Sequence, residues 1–276
     1  MKKIIPALII IILVFAGADI FAQNASADKF RVATPQEILL HDNPYNILQR
    51  EIETNICDAN WSITQKPFLL SANPNEKIII INYLEGVGNV PVFKREGESF
   101  EIKMNQESPL FKAYLEENKK QTEAFQARSA RVASDKKEAA EITAQNKKYF
   151  NYINQSANRT IFGDIFLELN QNNTIVYDLG DTSPKQITAP GINHISLFVQ
   201  LPDESSVDTI YNAILYIGNW PKLSNTKMVP FHFTKNNSSA PVIENMIIKI
   251  SGFNYNKIMK MIHSIDWTKL EALIKK

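Results

Sequence analysis

Apolar residues follow two rhythms along the chain, and the changes of rhythm mark its segments. Between Phe68 and Met104 they come in short runs: Phe68-Leu69-Leu70, then 77–84, 90–93 and 99–104. Turn formers separate these runs at Asn73-Pro74-Asn75, Glu85-Gly86-Val87-Gly88-Asn89 and Glu96-Gly97-Glu98, so they read as strands. The last run alternates, with Phe100, Ile102 and Met104 on one face and Glu101 and Lys103 on the other. That is the pattern of a half-buried strand. Ahead of it, Ile38, Leu39, Ile47, Leu48, Ile52 and Ile56 predict a helix over 35–57.

Residues 108–155 change character. Ser108-Pro109 is a helix start, and from Leu110 to Gln155 the chain has no Gly or Pro. Large apolar residues sit at the two ends: Leu110, Phe111, Tyr114, Leu115 and Phe125, then Tyr149, Phe150, Tyr152 and Ile153. The middle, 126–148, has Val132, Ile142 and Ala as its only apolar residues. Two antiparallel helices would set both apolar ends on the core and leave the charged tip in solvent. Asp135 with Glu138 three residues on offers the second start. One long projecting helix is the alternative.

Over 156–170, Ile161, Phe162, Ile165, Phe166 and Leu169 recur at helical spacing and predict a buried helix face. Beyond, strands are expected at 174–177, 194–201, 227–233 and 242–250, with helices over 203–217 and 254–274. Strands alternating with helices predict an α/β unit.

The N-terminus reads as an address. Lys2 and Lys3 precede an apolar run over 4–18, followed by cleavage points after Ala18, Ala22 or Ala27; this is the pattern of a secretory signal peptide. The run of roughly 15 residues is short of the ~20 that span a bilayer, which favours cleavage over anchoring. Removing 1–27 takes Lys2, Lys3 and Asp19 and leaves basic and acidic residues equal in number. Seven Asn-x-Ser/Thr triplets occur, at Asn24, Asn60, Asn154, Asn158, Asn172, Asn236 and Asn237. A eukaryotic secreted protein usually carries paired cysteines, and this chain has one Cys. A bacterial exported protein, periplasmic or secreted, is therefore expected, with no membrane span after cleavage.

Composition then removes function classes. A formal charge of +1 argues against nucleic acid as partner, since phosphates demand a basic excess. One Cys makes neither an intrachain disulfide nor a four-thiolate metal site.

The order of segments, together with Glu107-Ser108-Pro109-Leu110-Phe111-Lys112-Ala113-Tyr114-Leu115, resembles exported bacterial thioredoxin-like proteins that carry an N-terminal β-domain and a helical insert. In that resemblance Ile195-Ser196-Leu197-Phe198-Val199-Gln200-Leu201 is the central strand, with 203–217 the helix after it. Met228-Val229-Pro230-Phe231-His232-Phe233 is the next strand, and Ala240-Pro241-Val242-Ile243 stands where the family has a cis-proline. Gly252-Phe253-Asn254 leads into the closing helix. The implied fold is an α+β N-terminal region with a helical hairpin, followed by an α/β thioredoxin-like domain. The implied segments are a signal peptide over 1–27, a strand-rich domain over 28–105, the insert over 106–170 and the thioredoxin-like domain over 171–276. Where the family carries Cys-x-x-Cys this chain reads Pro202-Asp203-Glu204-Ser205-Ser206. Dithiol exchange needs two thiols, so the resemblance implies a redox-inactive version.

No other chemistry gathers in the pattern. Cys57 has acidic neighbours, which do not activate a thiol. His41, His194, His232 and His263 lack metal-ligand spacing, although His194 and His232 fall in expected strands. Glu116-Glu117, Asp178 with Asp181, and Asp203-Glu204 read as surface or turn carboxylates. Tyr211, Tyr216, Trp220, Phe231, Phe233, Phe253, Tyr255 and Trp267 read first as core packing and second as the lining of a groove. No catalytic, cofactor-binding or metal-ligating residue is assigned, and no cofactor. The expected function is a non-catalytic exported binding or interaction module whose partner is an envelope protein or a peptide. An exported enzyme of unidentified chemistry and a component of an envelope secretion or conjugation apparatus remain the alternatives.

Overall fold

A computed structural model describes residues 30–67, 80–84, 90–93, 97–131, 136–154, 160–171, 173–176, 188–200, 209–220, 227–233 and 240–274. The expected signal peptide over 1–27, the expected strand at 68–70, the expected turn at 202–206, and the carboxylates Asp178, Asp181, Asp203 and Glu204 lie outside these residues. In chain order the elements are β1 (Phe30–Val32), α1 (Pro35–Asn55), β2 (Trp61–Pro67), β3 (Ile80–Leu84), β4 (Val90–Phe93), β5 (Gly97–Met104), α2 (Pro109–Arg131) and α3 (Lys136–Asn154). Then follow β6 (Ile161–Leu169), β7 (Asn173–Val176), β8 (His194–Gln200), β9 (Ile210–Gly218), β10 (Lys227–Pro230), β11 (Asn245–Gly252), α4 (Tyr255–Ser264) and α5 (Thr268–Glu271).

The fold is α+β. A six-stranded sheet runs in the order β2-β5-β6-β11-β9-β8, and each of its neighbouring pairs is antiparallel. Two smaller sheets, β1-β3-β4 and β10-β7, accompany it. Because side chains alternate across a sheet, one face of the large sheet collects Phe100, Ile102, Ile165, Leu167, Leu169, Ala213, Leu215, Ile217, Met246, Ile248 and Ile250 in the main core. The helices cover that face with Tyr45, Leu48 and Ile52 of α1 and Ile258, Met261 and Ile262 of α4.

Local chemistry fixes these helices. Thr34 caps α1 in a capping box: its hydroxyl accepts from the Glu37 N–H, and Glu37 Oε2 accepts from the Thr34 N–H at 2.8 Å, with Pro35 in the first turn. Its buried stripe is His41, Pro44, Tyr45, Leu48 and Ile52; Leu39, expected on that stripe, is exposed. Buried Glu51 at its far end accepts from the Asp266 N–H at 3.1 Å and pairs with Lys269, tying α1 to α5. Asn254 caps α4 by accepting from the N–H groups of Asn256 and Lys257. Trp267 is buried between α4 and α5, its indole N–H donating to the Ile262 carbonyl at 2.8 Å.

Two expected helices are strands. In the described part of 156–170 the helix is replaced by β6. Ile161–Leu169 does alternate from Ile165 onward, with Ile165, Leu167 and Leu169 turned to the core. A register shift opposite Ile102 and Lys103 inserts an extra residue on β6, so Phe162 also faces the core, three residues before Ile165. A bulge therefore gave a strand the apolar spacing of a helix. Gly163 belongs to it: a Cβ there would lie 2.5 Å from Met261 Cε and 3.0 Å from the Ser251 carbonyl oxygen.

The described part of the expected helix over 203–217 is β9. Its run Ala213-Ile214-Leu215-Tyr216-Ile217 is buried on both faces, Ala213, Leu215 and Ile217 in the main core and Ile214 and Tyr216 in a second cluster, and a run buried all round carries no period. Without that helix, and with antiparallel pairs throughout the sheet, the described part of 171–276 is not an α/β unit. The expected closing helix over 254–274 breaks into α4 and α5 at Ile265 and Asp266.

Behind the sheet a second cluster gathers Val92, Ile214, Tyr216, Trp220, Phe231, Phe233 and Ile247, with Phe198 packed against it. A buried amide clip closes the end of the sheet beside β11. Asn245 accepts from the Gln171 N–H and donates to the Gln171 carbonyl, both at 2.7 Å. Asn170, with positive φ of 50°, donates to the Val242 carbonyl and accepts from the Glu244 N–H.

Candidate interaction surface

The segment between the adjacent strands β5 and β6 is the helical pair α2 and α3. Ser108 starts α2: its hydroxyl accepts from the Phe111 N–H at 3.0 Å. Pro109 occupies the first turn, where its missing N–H costs nothing. Along α2, Glu116 pairs with Lys120 at 3.0 Å and Glu117 accepts from Gln121 at 2.7 Å, both one turn apart. Such pairs support an exposed helix by a few tenths of a kcal/mol each.

The two helices make their principal contacts with each other. Phe125 stacks on Tyr149 with ring centroids 4.4 Å apart and meets Phe150 edge-on at 5.5 Å. Thr122 and Tyr149 hydroxyls lie 3.3 Å apart. Ile142 is buried. Against the expectation that both apolar ends dock on the core, Leu110 is 43% exposed, Leu115 49% and Phe150 52%. The aromatic residues therefore hold the pair together and leave apolar surface on it.

At the end of the sheet where β5 leads into α2 and α3 returns to β6, Lys257 of α4 donates to the Ile161 carbonyl at 3.0 Å and lies 4.4 Å over the Trp61 ring and 5.6 Å over Phe162. Burial pushes its ammonium down to about 8, while the ring faces favour the charge. This set fastens α4 to β2 and β6. Nothing in the sequence spacing brings positions 61, 162 and 257 together.

The residues weighed from sequence disperse. Cys57 is half-buried; burial first, then the charges of Glu53 and Asp58, push its thiol up to about 11. That suppresses the reactive thiolate. His41 lies in the core, 3.0 Å from Asp42 and against the rings of Tyr45 and Phe93. Burial lowers the pKa of His194, which lies against Tyr216 at 5.6 Å. His232 is exposed between Phe231 and Phe233, which turn inward, and His263 is exposed on α4. Among the described residues no group of three His, Cys, Asp or Glu side chains could hold a metal. Of the aromatic set, Tyr216, Trp220, Phe231 and Phe233 form one edge-to-face chain and Trp267 is buried in the main core. These five pack the interior; Tyr211 and Tyr255 meet nearer the surface, ring centroids 5.8 Å apart.

No helix among the described residues is long and apolar enough to cross a membrane. No protein-family model matches the chain, and neither does a curated protein or a solved structure.

Proposed function

We propose that the chain is an exported, non-catalytic binding module that meets an envelope protein or peptide through the helical pair α2 and α3. The observation behind this reading is the exposure of Leu110, Leu115 and Phe150 on two helices inserted between neighbouring strands. All three lie on this one inserted element, and exposed apolar surface concentrated on an element is where a partner can be met. The Lys2-Lys3 leader pattern supports export. The likeness to exported thioredoxin-like proteins enters the proposal as an order of segments: leader, β-rich start, helical hairpin and closing helix.

The test is affinity capture from envelope extracts with wild type, with Leu115→Glu/Phe150→Glu, and with 127–141 replaced by a short Gly/Ser loop. A stoichiometric partner captured by wild type and lost with Leu115→Glu/Phe150→Glu, while that variant melts within about 5 °C of wild type, is the expected result. A partner retained by both variants would move the interface elsewhere. N-terminal sequencing of the fractionated protein checks export; an intact Met1 in the membrane pellet would replace the exported module by an anchored one.

A further inference from the structure

The chain's surplus of positive charge sits on the helical pair. Over 109–154 there are nine Lys and Arg against six Asp and Glu, while the rest of the chain has more acidic than basic residues. α2 ends at Arg131 and α3 starts at Lys136, and Phe125 meets both Tyr149 and Phe150, so the helices run antiparallel. At 3.6 residues per turn, Leu115, Lys119 and Thr122 follow at i, i+4 and i+7 and form one row along α2. Lys147 and Phe150, three apart, form a row along α3. Viewed from its own N-terminus, each row lies clockwise of the stripe its helix turns to the other: Phe111, Asn118 and Phe125 on α2, Ile142, Asn146 and Tyr149 on α3. Antiparallel helices are related by a two-fold axis normal to the plane of the pair, so equal offsets place both rows on the same side.

That side has a definite spacing and a definite sign. Thr122 lies level with Tyr149, their hydroxyls 3.3 Å apart, and Leu115 is seven residues before it, ~10 Å of helical rise. Exposed Leu115 and Phe150 therefore stand roughly 10 Å apart along the pair, one on each helix. Two apolar side chains seven residues apart on a third helix span the same ~10 Å. Lys119 lies between the two anchors and Lys147 one turn beyond Phe150, both exposed, and neither row holds an Asp or Glu. Lys119 is 3.9 Å from Glu123 with both side chains mostly in water, a pairing too weak to withhold its charge from a partner.

We propose that the helical pair takes an acidic amphipathic helix along the groove between Leu115 and Phe150, with apolar residues at i and i+7 on these two and carboxylates against Lys119 and Lys147. The inference rests on the binding role proposed above and names the chemistry of the partner. A helix fits because it satisfies its own backbone. An extended segment laid on two helices would find no sheet edge to pair its N–H and C=O groups. A third helix seated between two others repeats the packing that holds helical bundles together.

The probe is a fluorescein-labelled, Ala-based helix of about 18 residues, long enough to fold in water, with Leu at i, i+4 and i+7 flanked by Glu; its counterpart carries Lys for Glu. Anisotropy titrations with the full chain up to about 1 mM cover weak association. The Glu probe should bind at least about tenfold more tightly than the Lys probe, and less tightly as salt rises. Lys119→Glu/Lys147→Glu, at two exposed positions, should reverse that preference, and Leu115→Glu/Phe150→Glu should abolish binding of the Glu probe, with circular dichroism melts showing each variant folded. No binding of the Glu probe, equal affinity for both probes, or a preference unmoved by the charge reversal would each overturn the proposal. Binding of phosphatidylglycerol vesicles in place of the probe, lost with Lys119→Glu/Lys147→Glu, would overturn it in favour of a lipid surface. An envelope partner lost with Leu115→Glu/Phe150→Glu yet fully captured by Lys119→Glu/Lys147→Glu would overturn the acidic helix and leave the binding role standing. A wild type that takes the Glu probe but captures nothing from extracts would support the helix and sink the envelope partner.

Discussion

Asn245 offers the sharpest test of how the sheet is closed. Its side chain is fully buried and makes both hydrogen bonds available to the Gln171 backbone, each at 2.7 Å. Gln171 is itself buried, so Asn245→Ala strands one N–H and one C=O away from water. A buried polar group left without a partner costs about 1–3 kcal/mol. Two such groups put the loss near 2–6 kcal/mol, with about 4 as the central expectation. At about 2–4 °C per kcal/mol for a chain of this size, the melting point should fall by roughly 8–16 °C. Urea unfolding followed by far-UV circular dichroism measures the loss directly, and Asn256→Ala, exposed at the start of α4, is the control expected within about 0.5 kcal/mol of wild type.

Asn245→Asp refines the test. It keeps the acceptor for the Gln171 N–H but sets a carboxylate oxygen against the Gln171 carbonyl, where only the protonated acid can donate. Its folded pKa should lie above the unfolded ~3.9, so the clip's contribution is full below the unfolded value and lost as pH rises through the folded one. Relative to wild type, the variant should gain stability between about pH 8 and about pH 4. A loss under about 1 kcal/mol for Asn245→Ala, or an Asp variant indifferent to pH, would refute the claim that these two bonds close the sheet.

Three further outcomes are expected. Phe100→Ala, at a fully buried position, should cost about 3–5 kcal/mol, whereas Phe150→Ala, half-exposed, should cost about 1 or less by chemical denaturation. The Arg31 guanidinium beside Glu37, bonded to both carboxylate oxygens at 2.6 and 2.7 Å, holds that carboxyl at about 2 against an ordinary 4.5. Its contribution is present above the unfolded value and lost as pH falls through the folded one, so Glu37→Gln should flatten the acid limb of a stability–pH curve between 4.5 and about 2. Cys57, with its thiol pushed up to about 11, should alkylate far more slowly with iodoacetamide at neutral pH than in urea; equal rates would show an accessible thiolate.

Where a local rule was sufficient, the sequence was legible. Ser108-Pro109 and the Gly- and Pro-free stretch after it mark α2 and α3. The alternation of Phe100, Ile102 and Met104 marks β5, and the apolar stretches at 194–201 and 242–250 mark β8 and β11. Each of these elements is decided within a few residues by capping, proline or period. β6 and β9 were not legible, because their patterns are products of their neighbours. The bulge facing Ile102 and Lys103 shifts the phase of β6, and β9 has no phase because the main core covers one of its faces and the second cluster covers the other. The candidate surface divides in the same way. The sequence placed large apolar residues at Leu110, Leu115 and Phe150, but a hydrophobic residue does not say whether it will find a cover. Only the packing of α2 against α3 decided that these three remain in water, and only the strand pairing placed β2 and β8 at the two ends of the large sheet among the described residues. Burial and edge position are set by contacts between residues far apart in the chain, which no local period records.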